Sequence, residues 1–211
     1  MVVTQICELS RSRCRVLTDE EITFVLYKGD FSSYPIREGC EISPELYDSI
    51  IQMLKKRACI RLLNLLRQRD MTQFEARKKL TDGGYPCEVT DHAIEYAMSF
   101  GYMGDSYYAS KYYDTYRDRK SRKRMECDLL AKGIGKDVIL SVFDQKAEEY
   151  ESEEDPEIMQ IRNLLIKKGY DRNAACDEKE QAKLISFLYR KGFSYEKIRV
   201  CLLLDITSYG E

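Results

Sequence analysis

Phe100-Gly-Tyr-Met-Gly-Asp-Ser-Tyr-Tyr-Ala109, continued by Tyr112, Tyr116, a basic run from Arg117 to Arg124 and Leu129-Leu-Ala-Lys-Gly-Ile134, is the stretch that decides the fold. Gly101 stands where a left-handed residue ends one helix, and Asp105 where an N-cap opens the next. Tyr108, Ala109, Tyr112 and Tyr116 recur at helical spacing and give that second helix one apolar face. Arg119, Lys120, Arg122, Lys123 and Arg124 crowd the junction that follows, with Ser121 placed to cap a third helix. Met125 and Leu129 supply that helix with a buried side, and Gly133 stops it.

The same grammar returns on either side. Gly84, Gly133 and Gly192 each have a leucine four residues earlier, at Leu80, Leu129 and Leu188, and a large apolar residue directly after, at Tyr85, Ile134 and Phe193. Nine and ten residues later come Ala93-Ile94, Val142-Phe143 and Cys201-Leu202. The separations between the glycines are 49 and 59 residues, and an acidic insertion near residue 150 accounts for part of the longer one. A unit of three helices that repeats in this way buries its own leucine and the later pair, while the glycine takes the left-handed turn between helices.

Upstream, Ile22, Phe24 and Leu26 alternate with Thr23, Val25 and Tyr27, a period of two that predicts a strand. Cys14 to Leu17 pairs with it as a hairpin across Thr18–Glu21, and Val2 to Leu9 offers a third strand. From Ser43 the chain reads as helix. Ser43-Pro44-Glu45 is a start signal, Thr72-Gln-Phe-Glu75 a capping box, and Asp155-Pro156 and Ser194 open later helices. Helices are expected near 44–55, 56–69, 73–82, 87–100, 106–119, 122–132, 136–150, 156–168, 178–191 and 195–205. The expected fold is mainly α: three tandem three-helix repeats in an elongated array, preceded by a small β-hairpin segment and a helix. The expected boundaries are 1–55 for hairpin plus helix, 56–104 and 105–150 for the first two repeats, and 151–211 for the third with its acidic linker.

Composition narrows function. The chain has 211 residues with 34 basic against 36 acidic side chains, so no global basic excess exists and any polyanion footprint must be local. Lys111 to Glu126 holds seven basic and three acidic residues, whereas Glu148 to Glu157 holds seven acidic and no basic ones. The acidic tract reads as an exposed helix end and linker. Eight cysteines are scattered singly without a Cys-x-x-Cys pair, and His92 is the single histidine, which argues for reduced thiols and against structural zinc. No secretory leader or membrane span is expected, which predicts a cytoplasmic protein. Neither a nucleophile elbow, a zinc-protease motif nor a phosphate loop occurs, so no catalytic residue, cofactor or metal is assigned.

The binding signal is cationic. Arg117, Arg119, Lys120, Arg122, Lys123 and Arg124 form the densest cluster, next to a helix N-terminus that itself attracts phosphate. Thinner clusters recur at Arg67 and Arg69, at Arg77 to Lys79, at Lys167 and Lys168 with Arg172, and at Lys183 with Arg190 and Lys191. Such a distributed track suits a polyanion lattice better than a small ligand. Tyr107 and Tyr113 lie off the apolar stripe of their helix and are candidates for base stacking.

The Gly-Tyr-x-x-Asp-x-x-Tyr-Ala stretch from Gly101 to Ala109, the basic segment and the Leu-x-x-Lys-Gly-Ile stretch from Leu129 to Ile134 resemble the RecX family. Arg15-Val-Leu17, Phe24 to Asp30, Ile36 to Ser43, Leu63 to Leu80 and Lys183 to Ile198 extend the resemblance over essentially the whole chain. Gly104 departs from the family, which usually has an acidic residue before Asp105. The resemblance implies tandem three-helix repeats and a non-enzymatic regulator of the RecA recombinase; a monomer is expected. Such a regulator lodges in the RecA–DNA filament and modulates, most often inhibits, its ATPase, strand-exchange and coprotease activities in recombination, repair and the SOS response. It also implies direct DNA binding without sequence preference. On the residues alone two classes stay open: a RecA-filament regulator, and a nonspecific DNA-binding helical protein independent of RecA. A helix-turn-helix transcription factor is weaker, because no single recognition helix stands out.

Overall fold

The computed structural model describes residues 1–150, 155–170 and 178–202, and the chain divides into two compact units, Met1–Gly104 and Asp105–Glu211. In the first unit β1 (Val3–Ser10), β2 (Arg13–Thr18) and β3 (Thr23–Tyr27) form an antiparallel sheet in that order, so the third strand suggested by Val2 to Leu9 exists. Alternation does the sorting. Cys14, Val16, Phe24 and Leu26 face inward and are buried, and Val16 pairs with Phe24 across the strands.

Behind the sheet lie α1 (Pro44–Leu66), α2 (Gln73–Asp82) and α3 (Cys87–Ser99). The two helices expected at 44–55 and 56–69 are one. Ile50, Ile51, Leu54, Ala58 and Leu62 keep a continuous buried stripe, and the residues between them, Lys55-Lys56-Arg57, contain no helix breaker. The boundary drawn at residue 55 therefore falls inside α1, which both supports the sheet and packs on α3. Ser43 accepts the Leu46 amide at 3.3 Å to start α1, and the Thr72–Glu75 capping box starts α2. Asp30, in a short 3-10 turn after β3, receives both arms of the Arg57 guanidinium at 2.6 and 2.7 Å. Those hydrogen bonds hold its carboxyl below the usual range.

Gly84 shows why this position is a glycine. Its φ is +86°, the Val25 amide donates to its carbonyl at 3.1 Å, and a Cβ there would lie 2.1 Å from Val25 Cγ2. Sheet and helices approach one another through that missing side chain.

The second unit has two triplets: α4 (Asp105–Tyr116), α5 (Arg122–Ala131) and α6 (Lys136–Glu149), then α7 (Pro156–Lys167), α8 (Glu178–Arg190) and α9 (Tyr195–Leu202). Each has its own core, one built on Met125, Leu129, Ile139 and Phe143, the other on Ile161, Leu165, Leu188 and Ile198. The repeat has a hydrogen-bond signature. Tyr85, Ile134 and Phe193 donate back to the carbonyls of Leu80, Leu129 and Leu188 at 3.3, 3.2 and 3.4 Å. This closure ends a helix on a left-handed glycine and turns the apolar residue after it inward, which is the physical content of the shared leucine, glycine and apolar positions. Ala93, Ile94, Val142, Phe143, Cys201 and Leu202 are buried, as the alignment of the units requires. Asp105 is the first residue of α4 and so sits one place inside the cap position expected of it. Among the described residues no helix is long and apolar enough to cross a membrane.

Candidate functional site

The basic junction after α4 is held from three directions. Ser121 caps α5 by accepting the Arg124 amide at 3.3 Å, and the same hydroxyl donates to the Lys191 carbonyl at 2.7 Å, which ties it to the end of α8. Gln160 of α7 is buried and its Nε2 donates to the Arg117 carbonyl at 2.6 Å and the Lys120 carbonyl at 3.4 Å. Glu157, at the start of α7, accepts the Arg122 amide at 2.7 Å. The other oxygen of Glu157 meets Lys197 at 2.5 Å, and Asp155 meets the same ammonium at 2.8 Å. Burial alone would lower the pKa of Lys197, but the two carboxylates outweigh it and hold the ammonium above the ordinary lysine range.

The acidic tract is thus more than a solvated linker: Asp155 and Glu157 hold the junction, whereas residues 151–154 lie outside the described ones. Gly192 completes the contact. Its φ is +92°, and a Cβ there would come 2.7 Å from Ser121 Oγ.

These bonds place the second and third triplets around an open cleft of about 540 Å³. Arg119, Lys120 and Arg124 line it from the α4–α5 side, Lys167, Arg190 and Lys191 from the third triplet, and among the described residues Asp118 is the one carboxylate on its wall. Cations that are up to 72 residues apart in sequence, from Arg119 to Lys191, share one concavity. Arg119, Lys167 and Arg190 are exposed, and among the described residues no carboxylate lies within salt-bridge distance of them. Their charge is directed at solvent rather than spent on the fold.

Lys120 differs from its neighbours. Its ammonium donates to Asp128 at 2.8 Å and to the Tyr112 hydroxyl at 2.7 Å, and it lies 4.2 Å from the centre of the Tyr116 ring. Those hydrogen bonds, Asp128 first, raise its pKa. Burial would raise Asp128, but the Lys120 and Tyr112 hydrogen bonds prevail and its carboxyl is lowered. Lys120 therefore anchors the junction. Arg124 shares Asp128 at 3.2 Å while most of its side chain stays exposed.

The remaining expected residues stand apart from the cleft. Arg117 lies 3.7 Å over the Tyr150 ring, and Arg122 meets Asp144 at 2.6 Å; both line a smaller cavity of about 250 Å³ together with Tyr113, Asp155 and Lys197. Lys123 sits 5.8 Å from the Tyr189 ring and Lys168 5.0 Å from Phe187. Arg67 and Arg69 belong to the first unit, where Arg69 approaches Glu75 at 3.9 Å. Arg172 lies outside the described residues. Tyr107 is exposed, but Tyr113 packs on Phe143 at 5.2 Å in the core of its triplet, because α4 buries a wider face than the strict stripe of 108, 112 and 116. His92 is exposed on α3, and among the described residues no group of three or more His, Cys, Asp or Glu side chains is placed to hold a metal. Gln160, Glu157 and Lys197 were invisible as site residues, because an isolated glutamine and single charges at helix starts carry no spacing signal.

Fold and site together define a class: a helical protein of three-helix units that gathers cations from two of them into one cleft. The comparisons agree with the helical part of that class and narrow it. Residues 155–202 match the model of the RecX third three-helix domain. The regulatory protein RecX of Caldanaerobacter subterraneus subsp. tengcongensis is 28% identical over 207 residues, covering 97% of this chain and 100% of its own length. That of Vibrio vulnificus is 28% identical over 141 residues, covering 66% of this chain and 87% of its own. A crystal structure of a regulatory protein RecX aligns with a TM-score of 0.62 at 20% identity over 96% of this chain and 98% of the other. The RecX of Lactobacillus salivarius aligns with a TM-score of 0.60 at 20% identity over 72% and 96%. The chain is similar to RecX proteins over nearly its whole length, and its residues 155–202 match their third three-helix domain.

Proposed function

We propose that this protein regulates the RecA recombinase by binding RecA–DNA filaments, and that its effect on RecA is inhibitory. The observation that carries the reading is the cleft, in which Arg119, Lys167, Arg190 and Lys191 from two triplets face solvent as one cationic concavity. A filament presents phosphates and protein surface at regular intervals, which a rigid two-triplet concavity can engage at several points at once. The relatives' printed description as regulatory proteins supports a binding role over a catalytic one. In this reading the protein is a non-enzymatic cytoplasmic monomer. It contacts DNA through phosphates without sequence preference, and the triplets α1–α3, α4–α6 and α7–α9 act as its repeat units.

The test is DNA-dependent ATP hydrolysis by the cognate RecA with increasing amounts of this protein. The expected result is a dose-dependent loss of hydrolysis that is weakened when Arg119, Lys167 and Arg190 are changed to glutamate. Unchanged RecA hydrolysis alongside intact DNA binding would favour the alternative, a nonspecific DNA-binding protein that acts without RecA.

A further inference from the structure

Exposed aromatic rings occur in both units, but their electrical surroundings differ. In the first unit Tyr96, Phe100 and Tyr102 form a row with ring centres 4.9 and 5.9 Å apart, on and just after a helix that carries Glu88, Asp91 and Glu95. Glu88 pairs with Lys55 at 2.7 Å and Asp91 with Arg77, and among the described residues no cation lies over any of these three rings. Tyr189, in the last turn of α8, is 60% exposed, and its neighbour among charges is the Lys123 ammonium at 5.8 Å. It immediately precedes Arg190 and Lys191, and Lys123 immediately precedes Arg124; all three of those following cations line the cleft. The ring's backbone is fixed as well, since the Gly192 amide donates to the Tyr189 carbonyl at 2.9 Å in the turn that rests on Ser121.

An open aromatic face beside a groove of cations is the arrangement by which proteins hold unpaired strands: the cations follow the phosphates and the ring takes a base. A duplex keeps its bases stacked on one another and has none to offer such a ring. We propose that Tyr189 is a base-stacking residue on the lip of the cationic cleft, so that this site takes single-stranded DNA, with phosphates over Arg190 and Lys191 and a base on the tyrosine ring. The inference rests on the DNA-binding part of the proposed function and adds to it a preference for the unpaired strand.

The experiment measures binding of the full chain to an oligodeoxythymidylate and to an abasic strand of the same length, at one salt concentration. The wild type is expected to bind the thymidylate strand more tightly than the abasic one. Tyr189→Ala should weaken thymidylate binding by roughly 5- to 20-fold and leave abasic binding unchanged, while Tyr189→Phe keeps the wild-type preference. If Tyr189→Ala retains the thymidylate preference while Arg190→Glu with Lys191→Glu weakens binding to both strands, the stacking role is overturned and the charge reading stands. If the glutamate variant binds both strands as the wild type does, the cleft is not the DNA site, and both readings fall.

Discussion

Gly101 and Gly192 have similar backbone angles, with φ of +69° and +92°, but very different surroundings. Nothing lies within 4 Å of a Cβ built on Gly101, whereas one on Gly192 meets Ser121 Oγ at 2.7 Å. Gly101→Ala should therefore cost only the left-handed strain, about 1–2 kcal/mol. Gly192→Ala should cost more, because it also separates the turn after α8 from Ser121. Chemical denaturation of the two variants checks this, and equal losses would mean that the turn can move away freely. Asp128 provides a pH test. Its carboxyl is lowered in the folded chain, so its contribution is present above the unfolded value near 4 and is lost as pH falls through the folded one. Lys120 is raised, so its contribution holds below the ordinary lysine range and is lost only as pH rises through its folded value. Asp128→Asn should make the acid-side fall of the melting temperature shallower. An acid limb identical to wild type would remove Asp128 from the linkage. Gly192 was legible in the sequence because, like Gly84 and Gly133, it combines a helix stop with a fixed leucine and apolar spacing, and Gly101 was legible as a helix stop alone. The double role of Ser121 was not, since a cap signal says nothing about what else the hydroxyl touches.

Helices α5 and α7 show how elements with little sequence signal organise a site. The α5 helix is short and strongly charged, and its buried side consists of Met125 and Leu129. Its N-terminus receives Glu157, and the carbonyls just before it receive Gln160. Gln160→Ala would leave the Arg117 and Lys120 carbonyls without that donor in a largely water-free position, at a cost of about 1–3 kcal/mol. Gln160→Glu should be at least as damaging, because a carboxylate cannot donate to carbonyls. A cost under ~0.5 kcal/mol for Gln160→Ala, read from denaturation, would mean that water takes over the bond. The element starts were well marked in the sequence: Ser43-Pro44, the Thr72–Glu75 box and Ser121 all begin helices where expected. The expected break near residue 55 was an error of segmentation. A charged Lys55-Lys56-Arg57 patch resembles a junction, but its flanking apolar residues keep helical phase and α1 runs through.

Over the whole chain, near-zero net charge hides a segregated field, and the cleft is where that field concentrates. Changing Arg119, Arg124, Lys167, Arg190 and Lys191 to glutamate should weaken DNA binding and flatten its salt dependence. Five lost phosphate contacts correspond to a slope change of at most about 4.5 in log K against log salt. An unaltered slope would return these side chains to ordinary surface duty. The charge runs themselves were legible from composition alone. Which of them converge was not, because convergence depends on the Ser121–Lys191 and Glu157–Lys197 contacts, between residues 70 and 40 positions apart. The central claim is that a RecA–DNA filament, not bare DNA, is the intended surface. Its most direct measurement titrates this protein against single-stranded DNA, free and coated with cognate RecA held in a non-hydrolysable nucleotide state, in one buffer. Tighter binding to the filament, lost in the five-residue glutamate variant, is the predicted result. Equal affinity for filament and free DNA, with RecA activity untouched, would contradict it.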